Sequence, residues 1–410
     1  MAQEISAQLN TEERLFLSLL ADAVHGRNCF DPVQVDWQAV FSLAGKHHVL
    51  PMIVEAAYAC PGLPGALLGQ AQAAAMDIVI RQTLRTRAFL ALYEKLRAAG
   101  HAPVVVKGAI CRSLYPQPDQ RPSGDEDLLI DLAELPAVHA FLLSVGLTTD
   151  TPELPAEPVH EITYTDGEAL RIELHTSLFP PDSRAYGDLN ALFSGALART
   201  VTVPIEGTPI RTLAPTDHLL YLICHAYKHF LHAGVGIRQI CDIALFSLRY
   251  ETEIDWEVLQ NVCERLNLEQ LVKAMYAIAD KHLGLRSPVC FADGDIDELP
   301  LLADILTGGV YGASDDNRQH SSTITLNAVS AQRQGSRPRG ALSSLFPSRA
   351  YMERHFRYVK KHPWLLPLAW AQRIWNYLTH RGGERSVSPA ESVRIGNRRV
   401  QLLKEYGILR

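Results

Sequence analysis

The chain has no excess of basic charge. Its 39 Lys and Arg are outweighed by 45 Asp and Glu, giving a net charge of -6, whereas a protein that grips a long nucleic acid normally presents a basic stripe. A long nucleic-acid partner is therefore disfavoured, while the end of a short RNA such as a tRNA stays open. Cysteine is scarce and unpatterned: seven residues, at 29, 60, 111, 224, 241, 263 and 290, odd in number and without a CxxC pair. That pattern excludes a disulfide scaffold and fits a reducing cytoplasm. No run of about 18 uncharged apolar residues is present to span a bilayer. The N-terminal MAQEISAQLNTEERLFLSLL has no basic segment leading into an apolar core, as an export signal requires. The expectation is a cytoplasmic protein with no stable membrane insertion. At 410 residues and 47% hydrophobic content, the chain can bury two or three packed domains.

Residues 1–100 read as helical. Thr11 is a candidate N-cap ahead of Leu15, Leu19 and Leu20 on one face; Asp36-Trp37 announces a second helix to about His48; Pro51 suits the first turn of a third; and 71–99 reads as one long helix ended by Gly100. VDWQAVFSLAGKHHV (35–49) and IDWEVLQNVCERLNL (254–268) echo each other. An Asp cap beside a packing Trp accounts for both without a repeat.

The stretch that carries chemistry is PVVVKGAICRSLYPQPDQRPSGDEDLLID (103–131). Val104, Val105 and Val106 read as a buried strand, Lys107-Gly108 as a turn into a short helix, and Asp125-Glu126-Asp127 as part of a second strand. Residues two apart in a strand share a face, so Asp125 and Asp127 point the same way, roughly 6.6 Å apart at the backbone. That spacing suits carboxylates straddling a hard cation such as magnesium or manganese, which completes its shell with water and phosphates. Downstream, ALRIELH (169–175) alternates, with Leu170, Ile172 and Leu174 on one face and Arg171, Glu173 and His175 on the other. Beside the Asp-x-Asp strand, Glu173 becomes a third carboxylate, and three carboxylates can hold two metal ions. An isolated Asp-x-Asp is weak evidence, because solvated carboxylates are common; the glycine turn upstream and the acid-bearing strand downstream make the combination specific.

Taken whole, the arrangement resembles the nucleotidyltransferase superfamily that includes DNA polymerase β, and within it a bacterial family labelled only as uncharacterised nucleotidyltransferases. The resemblance rests on Lys107-Gly108-Ala109, Leu114-Tyr115-Pro116, Arg121, Asp125-Glu126-Asp127-Leu128-Leu129, Ile172-Glu173-Leu174-His175, and His225, Lys228 and His229. It implies transfer of a nucleoside monophosphate from an NTP, ATP first among them, to an acceptor with release of pyrophosphate. Asp125, Asp127 and Glu173 would be the catalytic metal ligands, with Glu173 able to act as general base. Lys107, Gly108, Arg121, His225, Lys228 and His229 would bind nucleotide or phosphate. Relatives often accompany peptide natural-product or polysaccharide pathways, so the implied acceptor is a small molecule, a sugar phosphate, a modified peptide or a protein side chain. Two residues depart from the pattern: Ala109 stands where Ser or Gly is common, and Glu126 where an apolar residue is usual. Both favour a rival reading as an inactive nucleotide-binding or partner protein. A DxD glycosyltransferase using a nucleotide sugar is the other rival, though it would place a larger Rossmann-like region before the motif.

Beyond a hairpin of Val201–Ile205 and Pro209–Leu213, Asp217 helps open a helix on which His218, His225, His229 and His232 fall at offsets 0, 7, 11 and 14. These lie in a stripe about 60° wide, which suggests a polar wall of a cleft. His-x-x-x-His also raises zinc, but no HExxH glutamate or cysteine pair accompanies it, and a solvated histidine face is the plain alternative. Asp242, on the next helix, is placed to orient one of these histidines or to form a salt bridge. Arg121 either braces the acidic cluster or clamps phosphate. The fold expected is α/β (α+β), a small mixed β-sheet nucleotidyltransferase core flanked by N- and C-terminal α-helical regions. Its predicted divisions are a helical region 1–100, a catalytic core 101–213, a helical domain 214–307, a flexible loop 308–345 and a helical tail 346–410. The tail is rich in Trp and Arg, and packing against the helical domain is favoured over lying on a membrane surface.

Overall fold

The computed structural model describes residues 9–28, 34–181, 183, 185–232, 234–292, 295–309, 316–333, 349, 352–353, 356–379 and 389–409. Helices α1 (Thr11–Val24), α2 (Trp37–Lys46), α3 (Leu50–Ala57) and α4 (Gly65–Ala98) form the N-terminal layer. The cap of α1 is Asn10 and not Thr11: its side chain accepts from the Glu13 amide while Glu13 reaches back to the Asn10 amide. Asn and Asp at that position combined with a glutamate three residues on satisfy two orphan donors at once, which Thr11 cannot do from inside the first turn. Asp36 and Asp255 each cap their own helix, so the echo between the two segments is a shared start signal.

The sheet is mixed and six-stranded, in the order β3-β4-β2-β1-β6-β5. Its strands are β1 (Val104–Val106), β2 (Glu126–Leu129), β3 (Glu161–Thr165), β4 (Arg171–His175), β5 (Thr200–Ile205) and β6 (Thr208–Leu213). All three valines of β1 are fully buried; a β-branched strand covered on both faces belongs at the centre of a sheet. It pairs antiparallel with β2 and parallel with β6, while β2 runs parallel to β4. Two short helices interrupt the strands, α5 (Gly108–Arg112) and α6 (Leu135–Ser144).

Beyond the sheet come α7 (Pro215–His232), α8 (Ile237–Arg249), α9 (Trp256–Arg265), α10 (Glu269–Leu283) and α11 (Leu299–Gly308). They are followed by α12 (Asp316–Arg333), α13 (Arg357–Lys361), α14 (Leu366–Thr379) and α15 (Pro389–Glu405). Where a flexible loop is predicted, residues 316–333 are therefore helical. The reason is visible at Ser321 and Thr325, both fully buried. Thr325 donates its hydroxyl to the Leu231 carbonyl at the end of α7, and Ile324 packs where a Cβ on Gly396 of α15 would sit. Small polar residues that let helices approach closely look like loop composition. Arg318 closes this corner with a buried ion pair to Asp304 of α11.

From α15, the buried Arg399 donates to the carbonyls of Phe230 and His232, which as the last carbonyls of α7 have no partner within that helix. Leu402, Leu403 and Tyr406 join the main core. By contrast, Met352, Val359 and Ala369 form a small separate cluster, and Trp364 and Trp375 are exposed. The first residues of the predicted tail, 346–348, lie outside the described residues. Among the described residues no helix is long and apolar enough to cross a membrane.

Candidate active site

Residue 107 is where β1 ends, and its backbone is unusual: Lys107 has φ 59° and ψ -128° and is followed by Gly108 at φ 35°. A non-glycine residue in that region is strained and persists only when its surroundings hold it. His218 of α7 does so, its Nε2 accepting from the Lys107 amide at 3.3 Å. Its Nδ1 lies 3.2 Å from the Thr212 hydroxyl, which itself donates to the Val105 carbonyl. Those partners assign the neutral tautomer with the proton on Nδ1, and burial pushes His218 down to about 3.

Gly108 has a steric cause beside its positive φ. A Cβ there would collide with the carboxylate of Glu126. Glu126 is fully buried, accepts from the Ala109 amide at 2.9 Å and pairs with Arg112 at 2.6 Å. The turn is thus pinned from below by the residue that departs from the family pattern, and neither Glu126 nor Ala109 lines the cleft above.

That cleft, of about 400 Å³, is lined by Asp125, Asp127, Glu173, Lys107, Gly108, Arg121, His225, Lys228 and His229. All nine predicted site residues therefore meet in one cavity. Parallel pairing of β2 with β4 sets Asp127 directly opposite Glu173, while Asp125 stands one residue ahead of β2. Asp127 is nearly inaccessible. Its Oδ2 lies 3.0 Å from Lys107 Nζ and its Oδ1 3.1 Å from His175 Nε2. Burial alone would raise this carboxyl, but Lys107 and His175 overturn it and hold it at about 2. Glu173 goes the other way, to about 7: burial raises it, and Asp125, Asp127 and Glu161 add their repulsion. An acid crowded to neutrality marks a site short of positive charge.

The facing wall belongs to α7. Lys107 Nζ lies 3.3 Å from His225 Nε2, and His229 Nε2 is 3.2 Å from the same atom. Burial and the adjacent ammonium of Lys107 push His225 well below its ordinary value and His229 to about 3, so both imidazoles are neutral. Lys228 is lowered by burial and then by Lys107. Only the middle of the predicted histidine stripe reaches the cleft. His218 is spent on the Lys107 backbone, and His232 lies tilted against Tyr186, outside the cleft lining.

Arg121 borders the cavity, but its guanidinium is committed: it grips Asp242 of α8 through Nε at 3.0 Å and Nη2 at 2.5 Å, and the Tyr115 hydroxyl donates to the same carboxylate. Burial opposes the charge, yet Asp242 holds Arg121 well above its ordinary value. Of the two roles open for Arg121 in the sequence, this geometry is that of a brace. Asp242 correspondingly orients an arginine and not a histidine of α7. Sequence reasoning passed over Glu161, Tyr221, Arg238 and His48, which also line the cleft. Glu161 was legible in the strand-like alternation of EITYT, whereas Arg238, which donates to the Pro122 carbonyl, carries no local signal.

The sequence profile of a family described as "Uncharacterised nucleotidyltransferase" matches residues 34–284. The chain belongs to that family. The matched span of this family member contains every residue lining the cleft and ends at Gly284, just after α10. No curated protein matches the chain. Among solved structures, the crystal structure of an antigenic nucleotidyltransferase-like protein from Paracoccidioides brasiliensis is similar over 51% of this chain and 94% of its own, with 15% identity and a TM-score of 0.30.

Proposed function

We propose that this protein is a metal-dependent nucleotidyltransferase of the DNA polymerase β-like kind, moving a nucleoside monophosphate from an NTP, ATP first, to an acceptor nucleophile. The observation that carries the reading is the cross-strand pair Asp127–Glu173, with Asp125 beside it, on a cleft that also holds Lys107 and is faced by Lys228 and neutral histidines of α7. Asp125, Asp127 and Glu173 would hold magnesium or manganese. The fit rests on ligand atoms of Asp127, Glu173 and His175 that lie within 4.8 Å of one another, and on Glu173 being raised to about 7 by burial and then by its acidic neighbours. When bound, the ion supplies positive charge that activates the attacking hydroxyl and neutralises the leaving pyrophosphate.

The chain's own groups divide the remaining work. Lys107 and Lys228 are mutually repelling ammoniums, a repulsion that a triphosphate relieves. The acceptor hydroxyl attacks the α-phosphorus; the new O–P bond forms as the bond to the bridging β-phosphate oxygen breaks, and pyrophosphate leaves with that electron pair. Glu173 is placed to take the hydroxyl proton, with a carboxyl near neutrality as general base catalysis favours. A glycosyltransferase is less well supported, because among the described residues the three-residue β1 is the only strand ahead of the motif and the sheet is not doubly wound. The inactive-protein reading loses its motive too, since Glu126 and Ala109 serve the turn and stay out of the cleft.

The test is pyrophosphate release from each of the four NTPs with magnesium or manganese, over cell extract as a source of acceptors. We expect release with a preferred nucleotide, abolished in the Asp125→Ala/Asp127→Ala double variant. Nucleotide binding without release in any extract would overturn the assignment in favour of a binding module.

A further inference from the structure

Beside the carboxylates, on the outer edge of the sheet, three residues form a second constellation, linked to the first through His175. His160 lies at the bend entering β3, Glu161 is its first residue, and Glu161 pairs directly across the ladder with His175 at the end of β4. The Thr176 amide donates to the His160 carbonyl at 3.0 Å, so all three stand on hydrogen-bonded backbone. One ligand atom from each falls within 4.8 Å of the other two.

His175 decides the matter. Its Nε2 contacts the Asp127 carboxylate, an acceptor, at 3.1 Å, so Nε2 carries the proton and the neutral ring keeps its lone pair on Nδ1. The His175 side chain is only 8% exposed, and Nδ1 is buried without a hydrogen-bond partner. It faces Glu161 Oε2 at 3.7 Å, beyond hydrogen-bond reach. A buried lone pair aimed at a carboxylate is unfavourable unless a cation lies between them. Two ligand atoms on a tetrahedral zinc ion at 2.0–2.2 Å sit about 3.4 Å apart, close to the spacing found. Metal-bound histidines usually give their other ring nitrogen to a hydrogen bond. Here His175 gives Nε2 to Asp127, and His160 has Nδ1 at 2.8 Å from the Ser177 hydroxyl, which leaves Nε2 for an ion.

We propose that His160, Glu161 and His175 form a second metal centre, separate from the carboxylate centre, that takes a divalent transition cation of the zinc class. Two imidazoles and one carboxylate select such an ion over magnesium, which prefers oxygen ligands. Three protein ligands leave the fourth position open to water or to a group on a bound molecule. The zinc that the helical His-x-x-x-His spacing raised thus belongs on β3 and β4 and not on α7. The inference stands whether or not the neighbouring carboxylates transfer nucleotides.

The test uses the full chain, stripped by chelator and held in excess magnesium, titrated with cobalt(II) by visible absorption and with zinc(II) by calorimetry. We expect one equivalent of cobalt with a visible band that zinc displaces. Glu161→Gln and His160→Ala should each weaken binding by about 100-fold and Ser177→Ala by about 10-fold, with Asp125→Ala retaining the band. Circular dichroism identifies any variant that fails to fold; Glu161→Gln and Ser177→Ala, conservative changes at the edge of the site, decide the outcome if His160→Ala does. No uptake in magnesium, as a plain imidazolium–Glu161 ion pair would give, overturns the proposal. So does uptake that is indifferent to Glu161→Gln, or that is lost with Asp125→Ala.

Discussion

Gly108 and Glu126 were chosen together. The glycine stands at positive φ with the Glu126 carboxylate filling the space of its missing side chain, and the same carboxylate receives the next amide. Gly108→Ala therefore meets two penalties, backbone strain and displacement of a buried, paired acid. We expect a loss of about 1–3 kcal/mol from the strain alone, read as a lower urea midpoint, with pyrophosphate release falling alongside it. Glu126→Ala should release the turn in another way: Gly108 then tolerates a methyl group better, so the double variant Gly108→Ala/Glu126→Ala loses less than the sum of the singles. A strictly additive result would mean that the two residues do not share the contact described.

At the scale of elements, the loop before β2 is fastened to α8 by one buried ion pair, Arg121–Asp242, with Tyr115 as third member. Removing one partner of such a pair leaves an uncompensated charge, whereas replacing both by apolar groups is far milder. Asp242→Ala is thus expected to destabilise the protein by about 3–5 kcal/mol in denaturant unfolding, and Arg121→Met/Asp242→Leu to recover most of that loss. The same elements show what the sequence makes legible. The Val-rich β1, the Asp-x-Asp strand, the alternation of β4 and the hairpin of β5 and β6 announce themselves through period and β-branching, and they bring Asp125, Asp127 and Glu173 together. Strand β3 carries the same alternation in EITYT, with only two apolar residues to mark it, whereas helix α12 hides buried Ser321 and Thr325 in a polar composition. Partners distant in sequence are also invisible, which is why the sequence leaves Asp242 between a histidine and a salt bridge and does not name Arg121, 121 residues away, as the partner it holds.

Across the whole molecule, the histidines set the response to acid. His47, between the N-terminal helices and α11, is pushed by burial to about 4, against the opposing help of the Leu306 carbonyl; His218 is pushed to about 3. Both folded values lie below the unfolded value of about 6.5. Above that pH neither state takes a proton and the stability is complete. Between about 6.5 and 4 the unfolded chain binds protons that the fold refuses, so stability falls as pH drops, by roughly 1.4 kcal/mol per pH unit for each histidine. The urea midpoint should decline from pH 7 to pH 5, and His47→Leu should flatten that slope; a flat wild-type profile would contradict the burial of these rings. Asp127, held at about 2, acts in a separate window, its contribution vanishing only as pH falls through that value.

The grip of Arg399 on the last turn of α7 has a temporal meaning. The ribosome makes residues from the N-terminus onward, so every side chain that lines the cleft is synthesised before residue 399 exists. Until then the carbonyls of Phe230 and His232 lack the guanidinium that receives them in the finished protein, and the Thr325 hydroxyl on the Leu231 carbonyl holds the end of the helix carrying His225, Lys228 and His229 without it. A nascent chain stalled short of α15 therefore carries the cleft residues of α7 on a helix whose last turn lacks two of its donors. The last turn of α7 gains these two donors only as translation passes residue 399.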